Sequence, residues 1–182
     1  MRLEDLDISS PIATDAGLFG LWRSSAFSHV VSLDQWEDDV AEDASLLQHI
    51  ARGAFAPINI GGDGAFQFHL RGTQEPGNLT ARERSHLLVS SQPYLLKSDG
   101  LLELGGLEGV GSYAGADTVA IPLDAGEYGV VVHLIDWRAE NGAVGPDGEP
   151  TAEALPDFVV EVCPAAGGQY RLDVHTFDRP AD

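Results

Sequence analysis

The sequence predicts a mainly β protein, an antiparallel β-sandwich or flattened barrel with one short helical region near residues 33–52. Apolar and polar residues alternate over short runs, which is the period of a half-buried strand. Gly, Pro, Asp and Asn separate those runs at intervals suited to turns. Only one stretch repeats its apolar residues with helical spacing. The 182 residues, 43% hydrophobic and 21% charged, are expected to form a single domain over 1–182 with a real core.

Residues 8–13 and 18–22 read as the first strands, broken by Thr14-Asp15-Ala16-Gly17. The helical region follows. Asp34 and Glu37 have capping-box spacing before Val40, Leu46, Leu47 and Ile50, and Gly53 stops the helix. Residues 55–60 form a strand, Gly61-Gly62-Asp63-Gly64 turns it, and 65–71 returns with Phe66, Phe68 and Leu70 on one face. A strand, a four-residue glycine-rich turn and a strand predict a hairpin. Residues 85–90 and 94–97 are strands separated near Pro93, and Ser98-Asp99-Gly100 turns into a strand over 101–104 with the chemistry of a tight hairpin. Gly105 to Gly115 reads as a flexible connection. Strands follow at 118–123 and 128–135. Residues 138–157, rich in Gly and Pro, form the longest loop. Residues 158–163 and 169–176 are expected to close the chain as a pair.

Charge is the main clue to function. Lys and Arg total 10 against 29 Asp and Glu, a formal net charge of −19. Such a surface repels phosphate backbones and anionic lipids, and it attracts basic proteins. Nine of the ten basic residues are arginine, with Ala and Gly abundant, a composition bias that supplies a second source for the acidity. The group Arg82-Glu83-Arg84, beside a loop, is too little for a nucleic-acid footprint. The start MRLEDLDISS carries acid where a signal peptide carries base, and no stretch approaches a membrane span. A cytoplasmic protein without nucleic-acid or membrane partners is expected.

No spacing supplies a reaction. His29, His49, His69, His86, His133 and His175 are isolated from one another, so no metal site is expected. Cys163, the one cysteine, reads as a buried apolar residue at a strand end. No nucleophile elbow and no phosphate loop is present. Asp63 and Asp99 are explained by their turns. No catalytic residue and no cofactor is expected. One geometry would reverse this: a pocket joining two of His69, His86, His133 and His175, with a carboxylate within about 4 Å of one, pairs a base with its orienter.

The residues left for a partner are Asp34, Trp36, Glu37, Asp38, Asp39, Glu42 and Asp43 on the helical region, and Trp137 at the mouth of the long loop. The acids Asp38, Asp39, Glu42 and Asp43 are expected on the helix's outer side, where a solvated face is the plain reading. An aromatic among carboxylates has the make-up of an interface anchor.

The run HLLVSSQPYLLKSDGLLELGG followed by VAIPLDAGEYGVVVHLIDW resembles a pattern of small bacterial β-sandwich proteins, with the S-D-G turn before "apolar-Pro-Leu-x-x-Gly-x-Tyr" and a long strand. These are immunity proteins of bacterial polymorphic toxin systems and nuclease inhibitors of the competence protein J type. The resemblance spans residues 8–137 loosely and brings no catalytic residues with it. It implies a soluble inhibitor of a co-encoded toxin; with the charge, the expected function is a non-enzymatic acidic binding protein that occludes a basic partner such as a bacterial toxin or nuclease. The alternatives are a β-sandwich small-ligand binder or enzyme with the 138–157 loop as lid, and a structural subunit assembling through a sheet edge.

Overall fold

The structure is a computed structural model and describes residues 1–115 and 117–178. Ten strands form two sheets that face each other across the core. The first strands are β1 (Asp7–Thr14), β2 (Leu18–Arg23), β3 (Phe55–Asn59), β4 (Gly64–Gly72) and β5 (Leu87–Ser90). The rest are β6 (Tyr94–Ser98), β7 (Leu102–Gly106), β8 (Val119–Ile121), β9 (Gly126–Ile135) and β10 (Phe158–Pro164). A six-stranded sheet has the order β1-β4-β10-β9-β5, and β6 also pairs with β9, whose ten residues serve both partners. A four-stranded sheet has the order β3-β2-β7-β8. The described strands form no closed barrel.

Among the described residues every ladder is antiparallel except one. β10 runs parallel to β4, with Phe158 opposite Phe68 and Glu161 opposite Arg71. Periodicity along one strand carries no information on a partner so distant in the chain, so this one parallel ladder within the antiparallel sandwich was not legible in the sequence.

The two predicted hairpins are corrected. β3 lies in the four-stranded sheet against β2, while β4 lies in the other sheet against β1. The Gly61-Gly62-Asp63 segment is an arch between sheets, and so is the β1–β2 connection. The arches touch: Gly61 N–H donates to the Gly17 carbonyl at 3.0 Å, and both glycines have positive φ, 65° at Gly17 and 66° at Gly61. Ser98-Asp99-Gly100 likewise crosses from β6 in one sheet to β7 in the other. Gly and Asp supply the same backbone freedom to an arch as to a hairpin. Which sheet the next strand enters is decided by packing: β3 is buried along nearly its whole length, whereas its successor alternates.

Residues 169–176 form no strand and do not pair with β10, which lies between β4 and β9. Thr176 instead donates to Pro57 and accepts from Asn59 N–H, covering the free edge of β3.

Inner faces interlock through aromatic rings. Phe19 of β2 meets Phe68 of β4 at 5.0 Å, and Phe68 stacks on Phe158 of β10 at 5.0 Å. Gly20 and Trp22 alternate to the opposite side of β2. There Phe55 lies so close to Gly20 that a Cβ would come within 2.1 Å of its ring, and Phe27 bridges Phe55 to His49. The helical region thus covers the outer side of the four-stranded sheet. It is in three parts: α1 (Leu33–Trp36), a π turn (Glu37–Ala41) and α2 (Asp43–Ala51). Its cap is Ser32, which accepts from Gln35 N–H, not Asp34.

A third α-helix, α3 (Ala81–Ser85), carries the Arg82-Glu83-Arg84 stretch and was not expected from the sequence. Thr80 and Glu83 form a reciprocal capping box, with Glu83 N–H to Thr80 Oγ1 at 3.1 Å and Thr80 N–H to Glu83 Oε2 at 2.7 Å. A second apolar cluster of Leu79, Ile135, Trp137, Ala143, Leu155 and Val159 lies beneath it and the 137–157 segment. No helix among the described residues is long and apolar enough to cross a membrane.

Candidate functional site

Two polar constellations stand out, on opposite outer sides of the sandwich. The first is the helical region predicted to meet a partner. Val40, Leu46 and Ile50 are buried beneath it. Facing outward, Asp34, Glu37, Asp38, Glu42 and Asp43 are all exposed. Among the described residues none of these five carboxylates has an ion-pair partner, whereas Arg71, Arg82, Lys97 and Arg171 each have one elsewhere. Glu42 breaks the helix in extended conformation, so the acids cover two short helices and a bend.

Asp39 departs from the expected outer face. Its Oδ2 is 2.9 Å from His29 Nε2 and its Oδ1 is 3.0 Å from His49 Nε2. Burial alone would raise its pKa, but hydrogen bonds and charge from His49 and then His29 outweigh that and hold it below the ordinary aspartate value. Asp39 fastens the π turn to α2 and to the segment before α1. Trp36 is half-buried. Its indole N–H donates to the Leu107 carbonyl at 3.0 Å and its ring lies against Tyr113 at 5.6 Å. Beside the start of α2, a cleft of about 350 Å³ is lined by Asp43, Asp63, Asn59 and the glycines of the two arches.

Trp137 does not join this surface. It is 4% exposed, belongs to the second apolar cluster, and donates its indole N–H to Asp157 at 2.8 Å. As an interface anchor it is corrected: the loop that was expected to present it folds over it instead.

The second constellation was missed. On the outer face of the six-stranded sheet, Ser90 of β5 pairs in register with His133 of β9, and Ser90 Oγ is 2.8 Å from His133 Nδ1. His133 Nε2 is 3.2 Å from Glu161 Oε2 on β10. Glu161 also accepts from Gly77 N–H at 2.5 Å, Asn78 N–H at 3.2 Å and Arg71 Nη2 at 3.4 Å. Glu161 has no exposed surface and His133 is 2% exposed, while Ser90 is open to solvent. Burial pushes Glu161 upward, but the His133 contact, the Gly77 N–H and Arg71 hold it below the ordinary glutamate value. Two signals for it were in the sequence. A lone Glu inside FVVEVC and a lone His inside VVVHLI are charged or polar residues in strands otherwise apolar on both faces, and such residues require buried partners.

Other histidines have their own carboxylates. His69 Nε2 is 2.7 Å from Asp7, and His175 Nδ1 is 3.2 Å from Asp173. His69 and His133 flank Val159, which pairs in register with both. Among the described residues no group of three or more His, Cys, Asp or Glu is arranged to hold a metal ion. Cys163 is buried, and burial raises its thiol pKa.

Among solved structures the chain is similar to one described as crocagin biosynthetic gene J, at 14% identity over 87% of this chain and 95% of that one, with a TM-score of 0.53. This shows a shared fold. It is also similar to ComJ, inhibitor of the DNA-degrading activity of NucA, from Bacillus subtilis, at 8% identity over 86% and 95% of the two chains and a TM-score of 0.46. No known family's sequence profile matches the chain, and no curated protein does.

Proposed function

We propose that this protein acts by binding, as an inhibitor or immunity protein that occludes a basic partner such as a bacterial toxin or nuclease. The observation that supports this is the helical region. Five exposed carboxylates at Asp34, Glu37, Asp38, Glu42 and Asp43 share one short segment, with no cation of the described residues set against them. Like charges left together and unpaired repel each other in the free protein. A partner that brings lysine or arginine relieves that repulsion and meets the surface with steered, salt-sensitive association. A nuclease is a partner of this kind, because its active surface is positive to hold phosphates, and carboxylates placed there compete for the same groups. The resemblance of residues 8–137 to immunity proteins and competence-type inhibitors supports the same class.

The test is co-expression with the product of the adjacent gene, followed by binding kinetics at several salt concentrations. A complex whose association rate falls steeply with salt, and falls again when the five acids are neutralised, is the expected result. A complex indifferent to both overturns this surface as the binding face.

A further inference from the structure

We propose that Ser90 is a nucleophile that accepts an acyl group from a small ester, with His133 as its base and Glu161 positioning the imidazole. The proposal goes beyond the binding reading and rests on a different face of the molecule.

The order of contacts fixes the protons. Glu161 sits among two backbone N–H donors and the Arg71 guanidinium, a set that together favours the ionised carboxylate over the acid. An ionised carboxylate only accepts, so the proton of neutral His133 lies on Nε2, toward Glu161. Nδ1 then carries the lone pair, and it is the atom 2.8 Å from Ser90 Oγ. That is the tautomer a general base requires, held by a side chain that cannot turn: Glu161 is fully buried and its strand pairs on both sides.

Charge favours the proton transfer. Arg71 is shared between Glu83, with two contacts of 3.0 Å, and Glu161. Two carboxylates and one guanidinium leave one negative charge uncompensated beside the imidazole. The imidazolium formed when Ser90 gives up its proton neutralises it.

In the step itself, Ser90 Oγ bonds to the ester carbonyl carbon as its proton passes to His133 Nδ1. Collapse of the tetrahedral adduct breaks the bond to the leaving oxygen, which takes that proton. Water repeats the sequence, releases the carboxylic acid and restores Ser90. Because Ser90 lies on an open surface, the acyl donors it suits are small or themselves exposed.

The test uses the whole folded protein with p-nitrophenyl acetate and, separately, a fluorophosphonate, read by intact mass and peptide mapping. The expected result is one adduct on Ser90, formed about a hundredfold faster than on other exposed serines, the scale of general-base assistance. Ser90→Ala, a surface change that leaves the fold intact, abolishes it. His133→Asn removes the acceleration, and Glu161→Gln moves the pH profile of labelling as well as its rate. Ser90→Cys keeps the proposal testable if the buried variants unfold: its thiol is alkylated by iodoacetamide below the pH at which an ordinary cysteine reacts. Labelling of Ser90 no faster than that of other serines, or an ordinary thiol pH profile in Ser90→Cys, overturns the proposal.

Discussion

Arg71 Nη1 and Nη2 each lie 3.0 Å from one oxygen of Glu83, a two-point contact that ties the end of β4 to the cap of α3. The same guanidinium reaches Glu161 in the middle of β10. Removing it strands two buried carboxylates. Arg71→Met is expected to destabilise the protein by about 3–5 kcal/mol, the range for breaking one side of a buried pair. Urea unfolding of wild type and variant at neutral pH measures it.

Glu83 and Glu161 also predict a pH dependence. Burial raises both, but the hydrogen bond from Arg71 at Glu83 and that from His133 at Glu161, with the other donors beside them, bring each below the ordinary value of 4.5. A group whose folded pKa is depressed binds its proton more readily when unfolded, so its stabilisation is present above 4.5 and lost as pH falls through the lower folded value. The urea midpoint is expected to drop below about pH 4.5 from this source, and the drop to be smaller in Glu83→Gln. An unchanged slope in that variant would falsify the assignment.

Asp39 ties His29 and His49 together and is one-third exposed, so screening by water reduces its worth. Asp39→Ala is expected to cost about 1 kcal/mol. Hydrogen exchange should show the loosening confined to the helical region, with β9 and β10 unchanged.

Neutralising Asp34, Glu37, Asp38, Glu42 and Asp43 together, with Asp39 left in place, should alter stability by no more than about 0.5 kcal/mol per site and in the stabilising direction, since repulsion is relieved. Thermal melts at low and high salt check this. The gain should shrink as salt rises.

Gly17 carries a left-handed backbone where the two arches touch, and a Cβ there would sit 3.1 Å from Gly62 N. Gly17→Ala is expected to cost about 1–2 kcal/mol, from strain and crowding together. Asp63, exposed in the other of the two arches, should tolerate Asn with almost no change in the unfolding midpoint.

Local patterning made most strands readable. The alternation Phe66, Phe68, Leu70 against Gln67, His69, Arg71 places β4's two faces as the structure has them, and the helical region 33–52 is helical over most of its length. Partnership was not readable. β3 and β4 are neighbours in sequence and belong to different sheets, because an arch and a hairpin ask the same of Gly61 and Gly64. Trp137 looked available because it begins a polar loop, yet Asp157 and Val159, distant in sequence, enclose it. Ser90, His133 and Glu161 come from three strands, and only the ladders put them side by side. Asp39 differs from its acidic neighbours through His29 and His49, a contact that composition does not encode.

The placement of β10 has a consequence for how the chain is made. All four strands of the smaller sheet lie before residue 122, so they are synthesised before β10. β4 and β9, which flank β10 in the larger sheet, must wait for it with their facing edges unpaired. Such edges are where strands of other molecules add. Closure across so long a stretch of chain is slow. The nascent chain therefore passes through a period in which every strand of the smaller sheet has been made and the larger sheet still lacks a central strand. A chain released before Phe158 would remain in that state, prone to self-association.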